Sequence, residues 1–391
     1  MADLTLPDAA WRHRPGLDEL ARVLGAGEAR FVGGAVRDTL LGLDVSDIDV
    51  ATRHPPERVI DLLQAARIKA VPTGIAHGTI TAVTEGGPVE VTTLRRDVAT
   101  DGRHATVAFT DDWREDAARR DFTINALSAD PLTGEVFDYF GGLDDLAARR
   151  VRFIGEPLQR IAEDHLRILR FFRFLARFGD APDSQGLEAC VARANDLMGL
   201  SRERIRDELL KLLVARNAVV ITRLMVEGGI LTPVLPEIDV AGVERLAALA
   251  AIEPQPDALR RLVTLLPDAA AVESVGARLK LSNHDRKRIA SAAEPRGSAH
   301  PRELGYRLGH TGAVDRMLLA GEPADALDGW VPPTLPVTGG TLVQLGLRKG
   351  PVVAATLRRI EDRWIAAGFP AAVDDIVADE VAQAMRSTNS R

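Results

Sequence analysis

At 391 residues the chain is long enough for a sizeable core and more than one domain. Its 46% hydrophobic and 27% charged residues are ordinary for a globular protein, and no stretch approaches the roughly 20 apolar residues of a membrane span, so no membrane role is expected. One cysteine, Cys190, excludes an internal disulfide framework. That fits a reducing compartment, and Met1 to Ala10, with two aspartates and no apolar run, do not read as a secretory signal; a cytoplasmic location is expected. The net charge of −7 argues against a nucleic-acid partner only on average. Between Arg149 and Arg177 eight arginines face three acids, a local basic stretch of the kind that binds phosphates.

In chain order, Leu17, Leu20 and Leu24 at helical spacing predict an opening helix over Trp11 to Leu24. Arg30 to Val32 reads as a strand that breaks at Gly33-Gly34 and continues as a helix carrying Arg37 and Asp38. After Gly42 a second strand is expected to contain Asp47-Ile48-Asp49, which would put both carboxylates on one side and Ile48 on the other. Alone, an Asp-x-Asp pair is commonly just solvated. Beside a glycine turn that lets backbone approach a phosphate, a helix N-terminus and an arginine one turn in, it reads as a magnesium and triphosphate site. Pro55-Pro56 starts an amphipathic helix, and strands follow near Ile68 to Val71, Thr79 to Thr84 and Val89 to Leu94, the last two joined by a hairpin turn. Glu90 is a candidate third carboxylate.

Arg119-Arg120-Asp121-Phe-Thr-Ile-Asn125 is expected to open a helix with Asp121 and Asn125 on one face, either a capped, ion-paired start or a nucleotide contact. After Gly141-Gly142 the helical period dominates to the end. There Asp164 and Arg167 share a helix face, extended by Arg170, Arg173 and Arg177. A solvated face is the bland reading. An adjacent Asp and Arg nevertheless match bases that present an exocyclic amine beside a ring acceptor, which cytosine and adenine do and uracil and guanine do not.

These stretches, Gly33-Gly34-Ala-Val-Arg37-Asp38 with Asp47-Ile-Asp49, Arg119-Arg120-Asp121 to Asn125, Glu163-Asp164-x-x-Arg167, together with Val89 to Arg95 and Ser201 to Lys211, resemble in order and spacing the class II tRNA nucleotidyltransferase/poly(A) polymerase family over residues 30–211. The resemblance implies an α+β fold: a polymerase-β-like head with a mixed sheet, followed by an all-α neck, body and tail. The divisions are expected at 1–140 (catalytic head), 141–215 (neck, base selection), 216–300 (body) and 301–391 (tail, tRNA binding). It further implies Asp47 and Asp49 as Mg²⁺ ligands, and Glu90 as an accompanying catalytic carboxylate. Gly34, Arg37, Arg120, Asp121, Asn125, Asp164, Arg167, Arg170 and Arg173 would contact the nucleotide. The expected activity is two-metal, template-independent CCA addition to the tRNA 3′ end from CTP and ATP, with poly(A) addition as the alternative. The segment Val71 to Gly78 is full length, unlike that of CC-adding members, and long basic extensions that resemble poly(A)-adding members are absent. His284-Asp285 lacks the partner ligands of an HD phosphohydrolase and reads as a surface pair. The turn Leu345 to Pro351 is either a phosphate contact or a tight helix connection.

Overall fold

The computed structural model describes residues 4–101 and 104–389. The chain divides into two compact units, Met1–Val243 with Arg278–Lys280, and Glu244–Ala277 with Leu281–Arg391. The expected head and neck stretches both fall in the first.

The first unit opens with a 3₁₀ turn, Ala10–His13, and then α1 (Leu17–Leu24), so the expected single opening helix is interrupted at Pro15-Gly16. Next come β1 (Ala29–Val32), α2 (Gly34–Leu40), β2 (Asp49–Thr52), α3 (Pro56–Ala65), β3 (Lys69–Gly74), β4 (Thr79–Thr84) and β5 (Gly87–Thr93). β6 (Arg95–Asp101) and β7 (His104–Phe109) form a separate two-stranded ribbon. α4 (Trp113–Ala118), β8 (Ser128–Ala129) and β9 (Val136–Phe137) complete this part of the unit. Among the described residues the main sheet has seven strands in the order β3-β4-β5-β2-β1-β8-β9. Only β2 and β5 pair in parallel, and their register sets Asp49 opposite Glu90. α3 buries Val59 and Leu63 under the sheet.

The helical part of the unit runs α5 (Gly142–Ala147), β10 (Arg150–Val151), α6 (Pro157–Glu163), α7 (Leu166–Phe178), β11 (Ala181–Pro182), α8 (Ser184–Ala192), α9 (Arg202–Leu213) and α10 (Ala218–Glu227). α7 buries Ile168, Leu169, Phe171, Phe172 and Leu175 completely or nearly so. Phe122 and Phe153 meet Phe171 with ring centroids 6.3 and 5.5 Å away, so one aromatic core is shared by the segment after α4 and by α7. The first arginines of the basic stretch are structural. Arg150 and Arg152 both bind Asp145, which is fully buried, and Arg149 lies beside Asp180.

α11 (Val240–Ala250) spans the sequence boundary between the units. The second unit then contains α12 (Ala258–Leu265), α13 (Ala269–Arg278), whose last residue belongs to the first unit, α14 (Asn283–Ala293), α15 (Pro301–Leu319), α16 (Gly339–Gln344), α17 (Pro351–Ala366) and α18 (Asp374–Asn389). Two features organise it. Trp364 and Ile360 sit in an apolar cluster with Leu342, Val377 and Val381. Asp315, 1% exposed, takes Arg260 and Arg288 at 2.9 and 2.8 Å, while Glu253 takes Arg261. At the start of α14, Ser282 Oγ accepts from the Asp285 amide and donates to its carboxylate, so His284-Asp285 belongs to a helix cap. No helix among the described residues is long and apolar enough to cross a membrane.

Candidate active site

The site is built where β1 ends. Gly33 has φ +65°, a left-handed backbone that disfavours any side chain, and a Cβ there would stand 3.0 Å from Nη1 of Arg120. The conformational demand thus falls on Gly33, whereas Gly34 begins α2 and has room for a Cβ. The turn brings β1 back under Arg120 and starts α2 at the cavity. Arg37, 6% exposed, is held by Asp38 (Nε to Oδ1, 2.7 Å) and by Asn125 Oδ1 (2.5 Å), with its guanidinium 4.2 Å from the Phe178 ring centroid.

The second strand is shorter than expected. β2 begins at Asp49, and Asp47 precedes it on irregular backbone, exposed and bonded to Ser46. Ile48 between them is buried, as the alternation requires. Burial first, then the charge of Glu90 across the strand pair and that of Asp47, raise the Asp49 carboxyl above its ordinary range, with Arg120 pulling the other way. The three carboxylates therefore sense one another. Among the described residues, however, no set of three or more His, Cys, Asp or Glu side chains is arranged to hold a metal ion.

Asp121 and Asn125 do not share a helix face. α4 ends at Ala118, Phe122 bridges to Phe153, and Asn125 closes a 3₁₀ turn. The two side chains meet all the same, Asn125 Nδ2 donating to Asp121 Oδ1 at 2.9 Å. That oxygen also accepts the Phe122 amide, while Oδ2 takes Nε and Nη2 of Arg170 at 2.6 and 2.5 Å. Four donors fill the four lone-pair positions of the carboxylate. Burial opposes ionisation of Asp121, but Arg170, Asn125 and the Phe122 amide outweigh it and hold the carboxyl below its usual range. Arg120 and Arg119 both lean on Asp116, 4% exposed.

The base-reading candidates do not share a helix face as expected: Asp164 has extended backbone just after α6, and Arg167 is the second residue of α7. Asp164 ends α6, its Oδ1 accepting the Leu166 amide and its Oδ2 accepting from Arg204 of α9 at 2.7 Å. Arg167 donates through Nη1 to Glu163 (2.5 Å) and to the Arg160 carbonyl (2.8 Å), and through Nη2 to the Arg119 carbonyl (3.2 Å). Further along α7, Arg173 binds Glu208 of α9 at 2.5 Å, and Arg170 lies 3.9 Å from the same carboxylate. Phe174 lies under Arg37, Arg170 and Arg173, 4.4 to 5.3 Å from ring centroid to guanidinium carbon.

A cavity of about 360 Å³ unites these groups: Gly33, Gly34, Arg37, Asp49, Arg120, Asp121, Asn125, Asp164, Arg167, Arg170 and Phe174 line it. Of the residues expected from sequence, Asp47, Glu90 and Arg173 lie outside its lining. A larger cavity of about 630 Å³ lies in the second unit, but Arg245 and Arg316 there donate to backbone carbonyls and Arg296 to Glu322. Sequence reasoning passed over Phe174, Glu208 and Arg204. The available signal was the four-residue spacing of Arg204 and Glu208, which places them on one face of a helix.

A glycine turn, a carboxylate on a central strand and an arginine-lined helical wall around one cavity define a polymerase-β-like nucleotidyltransferase. The comparisons agree. Residues 29–152 match the Poly A polymerase head domain, and residues 182–241 match a family described as a probable RNA and SrmB-binding site of polymerase A. The chain is 34% identical over 383 residues to human mitochondrial CCA tRNA nucleotidyltransferase 1, covering 90% of this chain and 86% of that one. It is 40% identical over 191 residues, 48% of this chain and 46% of the relative, to the CCA-adding enzyme of Bacillus pumilus. Among solved structures it is similar to the Bacillus stearothermophilus CCA-adding enzyme in complex with CTP, with a TM-score of 0.77 and 26% identity, covering 96% of this chain and 98% of that chain. The chain belongs to the class II tRNA nucleotidyltransferase/poly(A) polymerase family.

Proposed function

We propose that this protein adds CCA to the 3′ end of tRNA, using CTP and ATP and no nucleic-acid template. The observation that carries this reading is that Asp49 and the Asp164/Arg167 pair line one cavity, of a size for a single nucleotide. A phosphate-side carboxylate and a base-side donor–acceptor pair are what selective nucleotidyl transfer requires. The name of the human relative and the CTP complex of the Bacillus stearothermophilus protein support it.

In this reading Gly34, Arg37 and Arg120 bind the triphosphate. Asn125 fixes Arg37, and Asp121 fixes Arg170 and Asn125. Asp164 accepts from the exocyclic amine of cytosine or adenine. Arg167 donates to the neighbouring ring nitrogen through the guanidinium N–H groups that Glu163 and the two carbonyls leave over. Uracil and guanine would set carbonyl against carboxylate and N–H against guanidinium, and they are refused for that mismatch. Arg173, anchored on Glu208, steadies Phe174 and the wall beneath the base.

The oxygen-only donors Asp47 and Asp49 suit Mg²⁺, which takes few protein carboxylates and fills its shell with water and phosphate; Glu90 across the strand pair assists. Mg²⁺ held by Asp47 and Asp49 would supply Lewis-acid chemistry there, acidifying the attacking 3′-hydroxyl and offsetting the charge of the pyrophosphate. The raised Asp49 carboxyl supports this assignment, because a cation relieves the crowding of negative charge around it.

The functional divisions proposed are head 1–140, neck 141–215, body 216–300 and tail 301–391, with body and tail holding the tRNA acceptor arm. The single cysteine supports a cytosolic compartment. The test is a gel of labelled tRNA that ends at the discriminator base. CTP alone is expected to extend it by two nucleotides, and CTP with ATP by three. A long ladder with ATP alone would instead mark a poly(A) polymerase.

A further inference from the structure

One aromatic ring in the first unit gathers cations from two elements. Phe174, 5% exposed, has Arg37 of α2 over it at 5.3 Å, and Arg170 and Arg173 of α7 at 5.3 and 4.4 Å. Phe178, with its ring centroid 5.6 Å away, repeats the pattern for Arg37 and Arg177 at 4.2 and 4.9 Å, but it is Phe174 that lines the cavity. Phe174 also meets Phe122 at 5.2 Å, which ties the ring to the aromatic core. Three carboxylates serve the same four arginines. Asp38 takes Arg37 and Arg177, Asp121 takes Arg170, and Glu208 takes Arg173 with Arg170 close by. Burial pushes Arg37 and Arg173 below the ordinary arginine range, and neither Asp38 nor Glu208 fully offsets it. Arg170, beside two carboxylates, is raised instead.

We propose that Phe174 is a positioning residue for the triphosphate: its ring draws Arg37 and Arg170 to the cavity wall from two different elements without neutralising either. This rests on the assignment of Arg37 to the phosphates. A carboxylate cancels the charge of the guanidinium it holds. An aromatic ring attracts the guanidinium through its negative face and leaves the net charge whole. The cluster is thereby assembled before the nucleotide arrives, and it keeps the positive charge that a triphosphate requires. Such an effect depends on the π electrons of the ring. A mere packing role would depend only on its shape.

The experiment replaces Phe174 in the full-length protein, by nonsense suppression, with mono-, di- and trifluorophenylalanine. Fluorine nearly preserves the shape of the ring and progressively weakens its negative face. KM for CTP on tRNA lacking its CCA end is expected to rise stepwise, by about three- to thirtyfold over the series. The change in kcat should stay below about twofold, as for an interaction shared by ground and transition states. Phe174→Leu should raise KM at least as much as the trifluoro ring does. Circular dichroism identifies a leucine variant that fails to fold, and the fluorinated rings still decide the matter. The same series at Phe171, which packs on Phe122, Phe153 and Phe172, is expected to leave KM flat. A flat KM across the series at Phe174, or an equal trend at Phe171, overturns the proposal. Arg37→Ala is run in parallel. If it leaves KM for CTP unchanged, the triphosphate assignment itself has failed, and the role of Phe174 falls with it. If it raises KM while the Phe174 series stays flat, only the role of the ring is lost.

Discussion

Two arginine clusters in this protein do opposite things with the same chemistry. In the second unit, Arg260, Arg261 and Arg288 close around Asp315 and Glu253, with Asp257 beside Arg288, and nearly all of these side chains are shielded. In the first unit, Arg37, Arg120, Arg167 and Arg170 also have carboxylate or amide partners, yet each keeps a surface on the 360 Å³ cavity. The first arrangement is satisfied and shut, so it organises a fold. The second is oriented by its partners without being exhausted by them, so it can receive an anion. Counting arginines does not separate the two; the spare donors do.

The comparison breaks most severely if Asp49 is dispensable. Asp49→Ala is expected to lower kcat for CTP incorporation at least about ten-thousandfold, more than about 5 kcal/mol of barrier, with tRNA affinity in a filter-binding assay nearly unchanged. Next in size, Asp315→Ala should lower unfolding free energy by about 3–5 kcal/mol, because it strands Arg260 and Arg288 in a shielded site. Denaturant titration followed by circular dichroism reads this. Activity at low temperature should persist, which separates a structural cluster from a binding one. Asp164→Glu and Arg167→Ala should each reduce discrimination against UTP and GTP by about ten- to a hundredfold, about 1–3 kcal/mol, in competition assays.

The acid response sharpens the contrast further. Asp116 and Asp121 in the first unit and Asp257 in the second all have carboxyls below the usual range, each held there by arginines or amide donors against the opposing effect of burial. A depressed carboxyl contributes stability that is fully present above its unfolded value and is lost as pH falls through the folded one. The melting temperature should therefore be level from about pH 7 to pH 5 and drop below about pH 4. Asp49 has the opposite sign. Its raised carboxyl is an unfavourable charge in the metal-free protein at neutral pH, so Asp49→Asn should slightly raise the melting temperature in EDTA. Adding Mg²⁺ should stabilise the unsubstituted protein and not the variant, as differential scanning fluorimetry would show.

Much of the site was legible because its chemistry is local. A glycine turn, a carboxylate in β2 and an Asp-x-x-Arg step each fit within a few residues, and Asp49, Asp164 and Arg167 do meet in one cavity. What escaped the sequence depends on contacts between distant segments. Nothing near Arg204 or Glu208 says that α9 lies against Asp164 and Arg173. Asp121 and Asn125 were expected on a helix because their spacing allows it. Instead the pairing of Phe122 with Phe153 draws the backbone into an extended bridge, and the side chains still meet through a tighter turn. The same override shortened β2, since the sheet register starts at Asp49 opposite Glu90 and has no partner for Asp47. The β6–β7 ribbon had no expectation attached, and the one cysteine is buried with its thiol pushed up by that burial, unsuited to chemistry.

The four-fold ligation of Asp121 has a practical consequence for protein engineers. One oxygen is bound by the segment after α4, through Phe122 and Asn125, and the other by α7 through Arg170. A chimaera that grafts a foreign α7 to alter base preference would keep its new selector in register only if the graft brings an arginine to this joint. Without one, the donor helix would arrive unmoored from the chemistry it is meant to direct.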